Sequence, residues 1–256
     1  MILDQNGVRY GANPAKPEKL AKVLKLENYA TQEFTEFVPP GFDWMMCVPD
    51  SVDLNNSLGD CVVAAMAKME RSWTANLSLG RSIATVTDAD ILSVYEKGAG
   101  YNPADPSTDQ GWDLLSALSY WQRTGIAGRK IGAYAAINPK HHYMVRAAIY
   151  LFGGIYTAFD LPNSIWDQMY PKLWDVLAND GGFAGGHCVT FQGVSKAGNP
   201  ICRTWGEPQE MTWAFFDKYC TEVYCIQSPD YIANNMTIAG VDLATWTADM
   251  TALKAA

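Results

Sequence analysis

The chain has 256 residues, 48% of them hydrophobic and 12% aromatic, enough for one large core or two modest ones. A formal net charge of −8 with no basic run argues against nucleic acid as the main partner, because phosphate binding needs clustered lysine and arginine. The longest apolar stretch, 147–159, stops at Arg146 and Asp160 and is too short to span a bilayer, so no membrane partner is expected.

Met1-Ile2-Leu3-Asp4-Gln5 lacks the basic and long apolar regions of a secretory signal, which predicts a protein that is cytoplasmic on synthesis. Residues 16–26 set Leu20, Val23 and Leu24 on one stripe beside a basic face and predict a short amphipathic helix. A helix over 61–75 should bury Ala65, Met66, Met69 and Trp73, and Thr87-Asp88-Ala89-Asp90 caps a second helix ending near Gly98. The Pro-, Asp- and Ser-rich stretch 101–109 is a loop; a helix follows over 111–125, and Asn138-Pro139 opens another.

In the second half, strands are predicted at 154–159, 187–194 and 201–205, the last two joined through Lys196-Ala197-Gly198-Asn199. A helix over 211–219 and a strand over 223–227 follow. Trp166, Tyr170 and Trp174 recur every four residues, the spacing of a buried helix face, which is favoured here over a substrate groove. The tail, 243–253, aligns Leu243, Trp246, Met250 and Leu253; an exposed stripe would mark a partner interface, a packed one a closing helix. Cysteines 47, 61, 188, 202, 220 and 225 form no Cys-x-x-Cys pair, and in a reducing compartment most are expected to be free thiols; His141 and His142 diverge by about a quarter-turn on a helix. No metal or cofactor is expected.

Two segments carry chemistry. Asn55-Asn56-Ser57-Leu58-Gly59-Asp60-Cys61 puts a thiol at a helix start, where unpaired N–H groups and a partial positive charge favour the thiolate. Gly185-Gly186-His187-Cys188-Val189 supplies a distant histidine that need only meet it in the fold. In this pairing Cys61 is the nucleophile, His187 the base, and the Cys61 N–H with the amide of Asn55 or Asn56 holds the oxyanion. Asp60 either raises the thiol pKa by its charge or serves as the helix N-cap, the second being favoured.

Further blocks stand in order along the chain: Val38-Pro39-Pro40-Gly41-Phe42-Asp43-Trp44, Asp109-Gln110-Gly111-Trp112, Thr124-Gly125-Ile126, Phe152-Gly153-Gly154-Ile155-Tyr156-Thr157-Ala158 and Thr204-Trp205-Gly206. With the Cys61 and His187 segments they resemble the papain-like cysteine peptidases over roughly 38–228. The resemblance sets Asn55, six residues before Cys61, where that family has its oxyanion glutamine, and sets Trp205 over the His187 ring. It implies an α+β fold, a helical half and an antiparallel β-sheet or barrel half flanking a cleft, over 38–230, with an N-terminal arm at 1–37 and a helical tail at 231–256. The 16–26 helix is then expected across the back of that domain, the alternative being across the cleft as an inhibitor.

The sequence departs from the family at the third member. Arg203 stands where the asparagine that orients the imidazole is expected; arginine has five donors and no acceptor, so it cannot take the imidazole N–H. Thr204 offers an acceptor if the register slips by one. Two functions follow: a thiol hydrolase acting on peptide or isopeptide bonds of a peptide or protein substrate, or a papain-like domain whose chemistry has decayed into a structural role. The Leu-Gly-Asp-Cys, Gly-Gly-His and Thr-Trp-Gly…Met-Thr-Trp blocks also resemble uncharacterised papain-like proteins of tailed bacteriophages and prophages, which implies virion proteins as partners and oligomer contacts through the arm or the tail.

Overall fold

Alternate residues of the strands Ile155–Pro162 and Cys220–Gln227 enter two different cores. Ile155, Phe159, Val223 and Cys225 lie in one, and Tyr156, Ala158, Tyr224 and Ile226 in the other. A strand shows its side chains to opposite faces in turn, so these runs read as continuously apolar because both faces of their sheet are covered. The computed structural model describes residues 8–30, 34, 38–231 and 241–255, without the side chains of 253–255.

In chain order the elements are β1 (Ala12–Asn13), α1 (Pro17–Leu20), β2 (Phe42–Asp43), α2 (Cys61–Leu77), α3 (Asp88–Val94), β3 (Trp112–Asp113), α4 (Leu114–Arg123), β4 (Ala133–Ala136), α5 (His142–Leu151), β5 (Ile155–Pro162), β6 (Phe183–Val194), β7 (Pro200–Thr204), β8 (Glu207–Glu210), α6 (Trp213–Tyr219), β9 (Cys220–Gln227) and α7 (Leu243–Ala255). The main sheet runs β4-β9-β5-β6-β7-β8, with β2 added on β6, and every pairing in it is antiparallel. It ends at β4 and β8 without closing, so the β half is an open sheet and not a barrel. β1 and β3 form a separate parallel pair.

Helix α2 lies against β6 and is buried along most of its length. The Tyr156 hydroxyl donates to Val62 O at 2.7 Å, which ties the start of the helix to β5, and Trp73 Nε1 donates to Phe152 O at 2.8 Å, which ties its far end to the end of α5. Thr87 and Asp90 form the expected capping box on α3.

Several expectations are corrected. The 16–26 helix is a single turn, α1; Lys25 then bridges to Ala136 and Leu26 is buried, because bonding to the edge of β4 replaces further helical turns. α5 begins at His142, since the Asn138 side chain accepts from Lys140 N and makes a turn in place of a cap. Trp166, Tyr170 and Trp174 share no helix face: the chain makes a 3-10 stretch, Asn163–Gln168, and then extends, leaving Trp174 buried, Trp166 half-buried and Tyr170 exposed. β4 and β8 escaped the reading because Ala-Tyr-Ala-Ala and Glu-Pro-Gln-Glu carry little strand preference; proline and charge are tolerated on edge strands.

Trp246 of α7 stacks on Tyr29 at 6.0 Å and meets Phe152 edge-on at 5.5 Å, and Met250 is also buried. The tail stripe is thus a closing helix rather than an exposed interface; Leu253 lies outside the described side chains. No helix among the described residues is long and apolar enough to cross a membrane.

Candidate active site

Cys61 is the first residue of α2, and its Sγ accepts the backbone N–H of Cys188 on β6 at 3.3 Å. His187 precedes Cys188 on the same strand, so the thiol and the imidazole are brought to the two sides of one seam. Both line a cavity of only ≈ 10 Å³, together with Asn55, Lys68, Arg203, Thr204 and Trp205. That is space for about one water molecule.

The His187 ring is held by the end of the next strand. β7 ends at Thr204, whose Oγ1 lies 2.7 Å from His187 Nε2, and Trp205, held at a φ of 46°, stacks on the ring at 4.2 Å and 19°. His187 Nδ1 is buried without a hydrogen-bond partner among the described residues. With a proton on Nε2 donated to Thr204 Oγ1, Nδ1 is left as a free base.

Arg203 borders the cavity, but its charge is engaged elsewhere. Its guanidinium pairs with Asp43 at 2.7 Å and Asp50 at 3.3 Å, so its charge is neutralised from the 42–50 segment. Of the two asparagines, Asn55 is buried and lines the cavity, while Asn56 is exposed. Asn55 Nδ2 donates to Leu58 O at 3.0 Å and to Arg9 O at 3.3 Å.

Electrostatics oppose the thiolate expected from the helix start. Burial pushes the Cys61 thiol up to about 12, outweighing the lowering by the Cys188 N–H, and burial followed by the Lys68 charge lowers His187 to about 3. Both groups are therefore neutral near pH 7. Asp60 stands at the N-cap position but makes no capping bond; its carboxyl is buried with no hydrogen-bond partner among the described residues, and burial raises it to about 8. The capping expectation is corrected: Asp60 has φ −98° and ψ 17°, not the extended backbone that aims an N-cap side chain at the first free N–H groups.

Residues 8–13 cover the site. Gly11 N donates to Gly186 O at 3.0 Å and Gly11 O accepts Trp112 N at 2.7 Å, so the arm is tied to both walls. Arg9 N donates to Asn55 O at 3.1 Å, and the Tyr10 ring stands edge-on to His187 and Trp205. A Cβ on Gly11 would lie 1.8 Å from Gly59 O, and one on Gly186 2.0 Å from Ala12 O; only glycine lets the backbones come this close. The stretch across the cleft is thus 8–13, while 16–26 runs along α4 and β4.

Sequence reading missed Lys68, Asp43 with Asp50, and the Asp109 brace. Lys68 follows Cys61 by two helical turns, a spacing that places both on one face. It pairs with Asp53 at 2.8 Å, and Arg71 joins the same carboxylate at 2.8 Å. Asp109 accepts Gly59 N at 3.0 Å and the Tyr95 hydroxyl at 2.6 Å, which fixes the turn before Cys61. No local pattern announced it. His141 and His142 go separate ways, to Glu27 and to Asp217 with a stack on Trp213.

No family model and no curated protein sequence matches the chain. Among solved structures it is similar to xylellain, a cysteine protease from Xylella fastidiosa (TM-score 0.70, 13% identity, 89% of this chain and 99% of that one). It is also similar to procathepsin B S9 from Trypanosoma congolense (0.60, 14%, 88% and 87%) and to digestive procathepsin L 3 of Tenebrio molitor larval midgut (0.54, 14%, 86% and 83%). The fold is that of the papain-like cysteine proteases.

Proposed function

We propose that this protein is a papain-like cysteine hydrolase that cleaves peptide or isopeptide bonds through Cys61 and His187, held latent by its own residues 8–13. The observation that carries the reading is the His187 ring: Nε2 is engaged by Thr204 Oγ1 at 2.7 Å, the face is covered by Trp205, and Nδ1 is left unpartnered in the cavity that also holds the Cys61 thiol.

In the proposed reaction Nδ1 takes the thiol proton and the Cys61 sulfur bonds to the substrate carbonyl carbon. The carbonyl oxygen becomes an oxyanion facing the Cys61 N–H, which makes no backbone hydrogen bond among the described residues, and Asn55 Nδ2 once Arg9 O has left it. The imidazolium gives its proton to the departing amine, and water, deprotonated by the same nitrogen, releases the acyl group and restores the thiol. Departure of the arm admits water, which removes the main cause of both opposing pKa shifts.

The second reading, a structural papain-like domain of a phage particle, is favoured by the neutral, sealed Cys61 and His187 pair. Phage origin rests on the sequence blocks; the solved structures, from a bacterium, a trypanosome and an insect, lend it no support. The test is hydrolysis of fluorescein-labelled casein and of an isopeptide-linked reporter by the full chain and by Gly11→Val, with Cys61→Ala as blank. Turnover in Gly11→Val that disappears with Cys61→Ala supports the hydrolase. No turnover of either substrate by a folded Gly11→Val chain with an alkylatable Cys61 favours the structural role.

A further inference from the structure

A second, much larger hollow, which shares no lining residue with the Cys61 cavity, lies at the seam between the arm and α4. It encloses ≈ 720 Å³, within the range of small-molecule sites. Lys19 and Lys22 of the arm, Lys97 after α3 and Arg123 at the end of α4 line it, and no acidic residue among the described residues does, on a chain whose net charge is −8. Lys19 is partly neutralised by Asp113 at 3.5 Å. Lys97 and Arg123 donate only to the neutral hydroxyls of Ser93 and Ser119, and with Lys22 they form no ion pair among the described residues. Three cations therefore keep their charge toward the hollow.

Three aromatic rings, Trp112, Tyr120 and Tyr134, share the rest of the wall with aliphatic and neutral polar side chains. Trp112 and Tyr120 meet edge to face at 5.6 Å, and a Cβ at Gly98 would fall 2.2 Å from the Trp112 ring, so the glycine leaves the indole its place beside the opening. Aromatic and aliphatic surface beside cations that lack carboxylate partners suits an anionic group on a flat apolar body.

We propose that this cavity binds a small free aromatic anion, a carboxylate, phosphate or sulfonate on a flat apolar body. The ring system lies against Trp112 and Tyr120 and the anionic group meets Lys97, Arg123 and Lys22, whose charges are not already committed to carboxylates. The inference does not depend on the hydrolase reading, because none of these side chains lines the Cys61 cavity.

The test is a fluorescence titration of the full chain with 1-anilinonaphthalene-8-sulfonate, followed by displacement with indole-3-acetate and with tryptamine, which carry the same ring and opposite charges. Saturable binding displaced by indole-3-acetate and not by tryptamine is expected, as is a loss of at least about tenfold in affinity for Lys97→Glu/Arg123→Glu. Equal displacement by tryptamine, unsaturable binding, or an affinity within about twofold of wild type in the double variant overturns the proposal. If the double variant fails to fold, Arg123→Gln alone carries the test, with a loss of about threefold expected and none overturning it.

Discussion

Thr204 Oγ1 lies 2.7 Å from His187 Nε2, while the neighbouring Arg203 turns its guanidinium to Asp43 and Asp50. One residue of register thus moves the orienting contact from an arginine, which cannot accept, to a hydroxyl, which can. Replacing Thr204 by valine keeps the shape and removes the acceptor. In a Gly11→Val background, Thr204→Val is expected to slow Cys61 alkylation by about tenfold near pH 7, and Thr204→Ser to restore it. Equal rates for valine and threonine would show that the packing of Trp205 alone orients the ring.

Arg203→Asn is expected to bring no gain in reactivity, because the imidazole already has its partner. It leaves Asp43 and Asp50 without their cation, and since both are partly solvated the loss of stability should be about 1–2 kcal/mol. Thermal melting and casein hydrolysis of the variant check the two halves of the statement separately.

Gly11→Val tests the cover over the cleft. The added side chain strikes Gly59 O, so the arm cannot seat while the rest of the domain is untouched. Iodoacetamide labelling followed by peptide mass spectrometry should show Cys61 reacting at least about tenfold faster than in wild type, with the buried thiols Cys188, Cys202, Cys220 and Cys225 unchanged. Unchanged labelling of Cys61 would mean that the thiol is sealed by the domain itself.

Asp60 predicts a pH dependence of stability. Its folded pKa, about 8, lies above the unfolded carboxylate value, so the group favours folding when protonated, and that contribution is lost as pH rises from about 4 through 8. Asp60→Asn removes the ionisation. It should be more stable than wild type by an amount on the order of 2 kcal/mol at pH 8, the gap closing toward pH 4. Chemical denaturation at the two pH values reads this directly; a gap of the same size at both would assign the effect to hydrogen bonding rather than charge.

Trp246→Ala should cost about 3 kcal/mol, since the ring is buried between Tyr29 and Phe152 and its removal leaves a cavity. A melting temperature equal to that of wild type would show that α7 contributes little to the closed fold.

The sequence by itself determined the elements whose period and punctuation agree: α2 from its unbroken run without glycine or proline, the capping box of α3, and the strands through His187 and Thr204. It also named Cys61, His187, Asn55 and Thr204 as a set, which the fold gathers around one cavity. What it could not supply were contacts between distant segments. Whether Arg203 opposes or spares the imidazole depends on Asp43 and Asp50, far upstream, and whether Cys61 is a thiolate depends on residues 8–13 lying over it. A helix terminus favours the thiolate through local dipoles that the sequence displays; burial disfavours it through lost solvation, which is a property of everything packed around the sulfur, and in this structure burial wins.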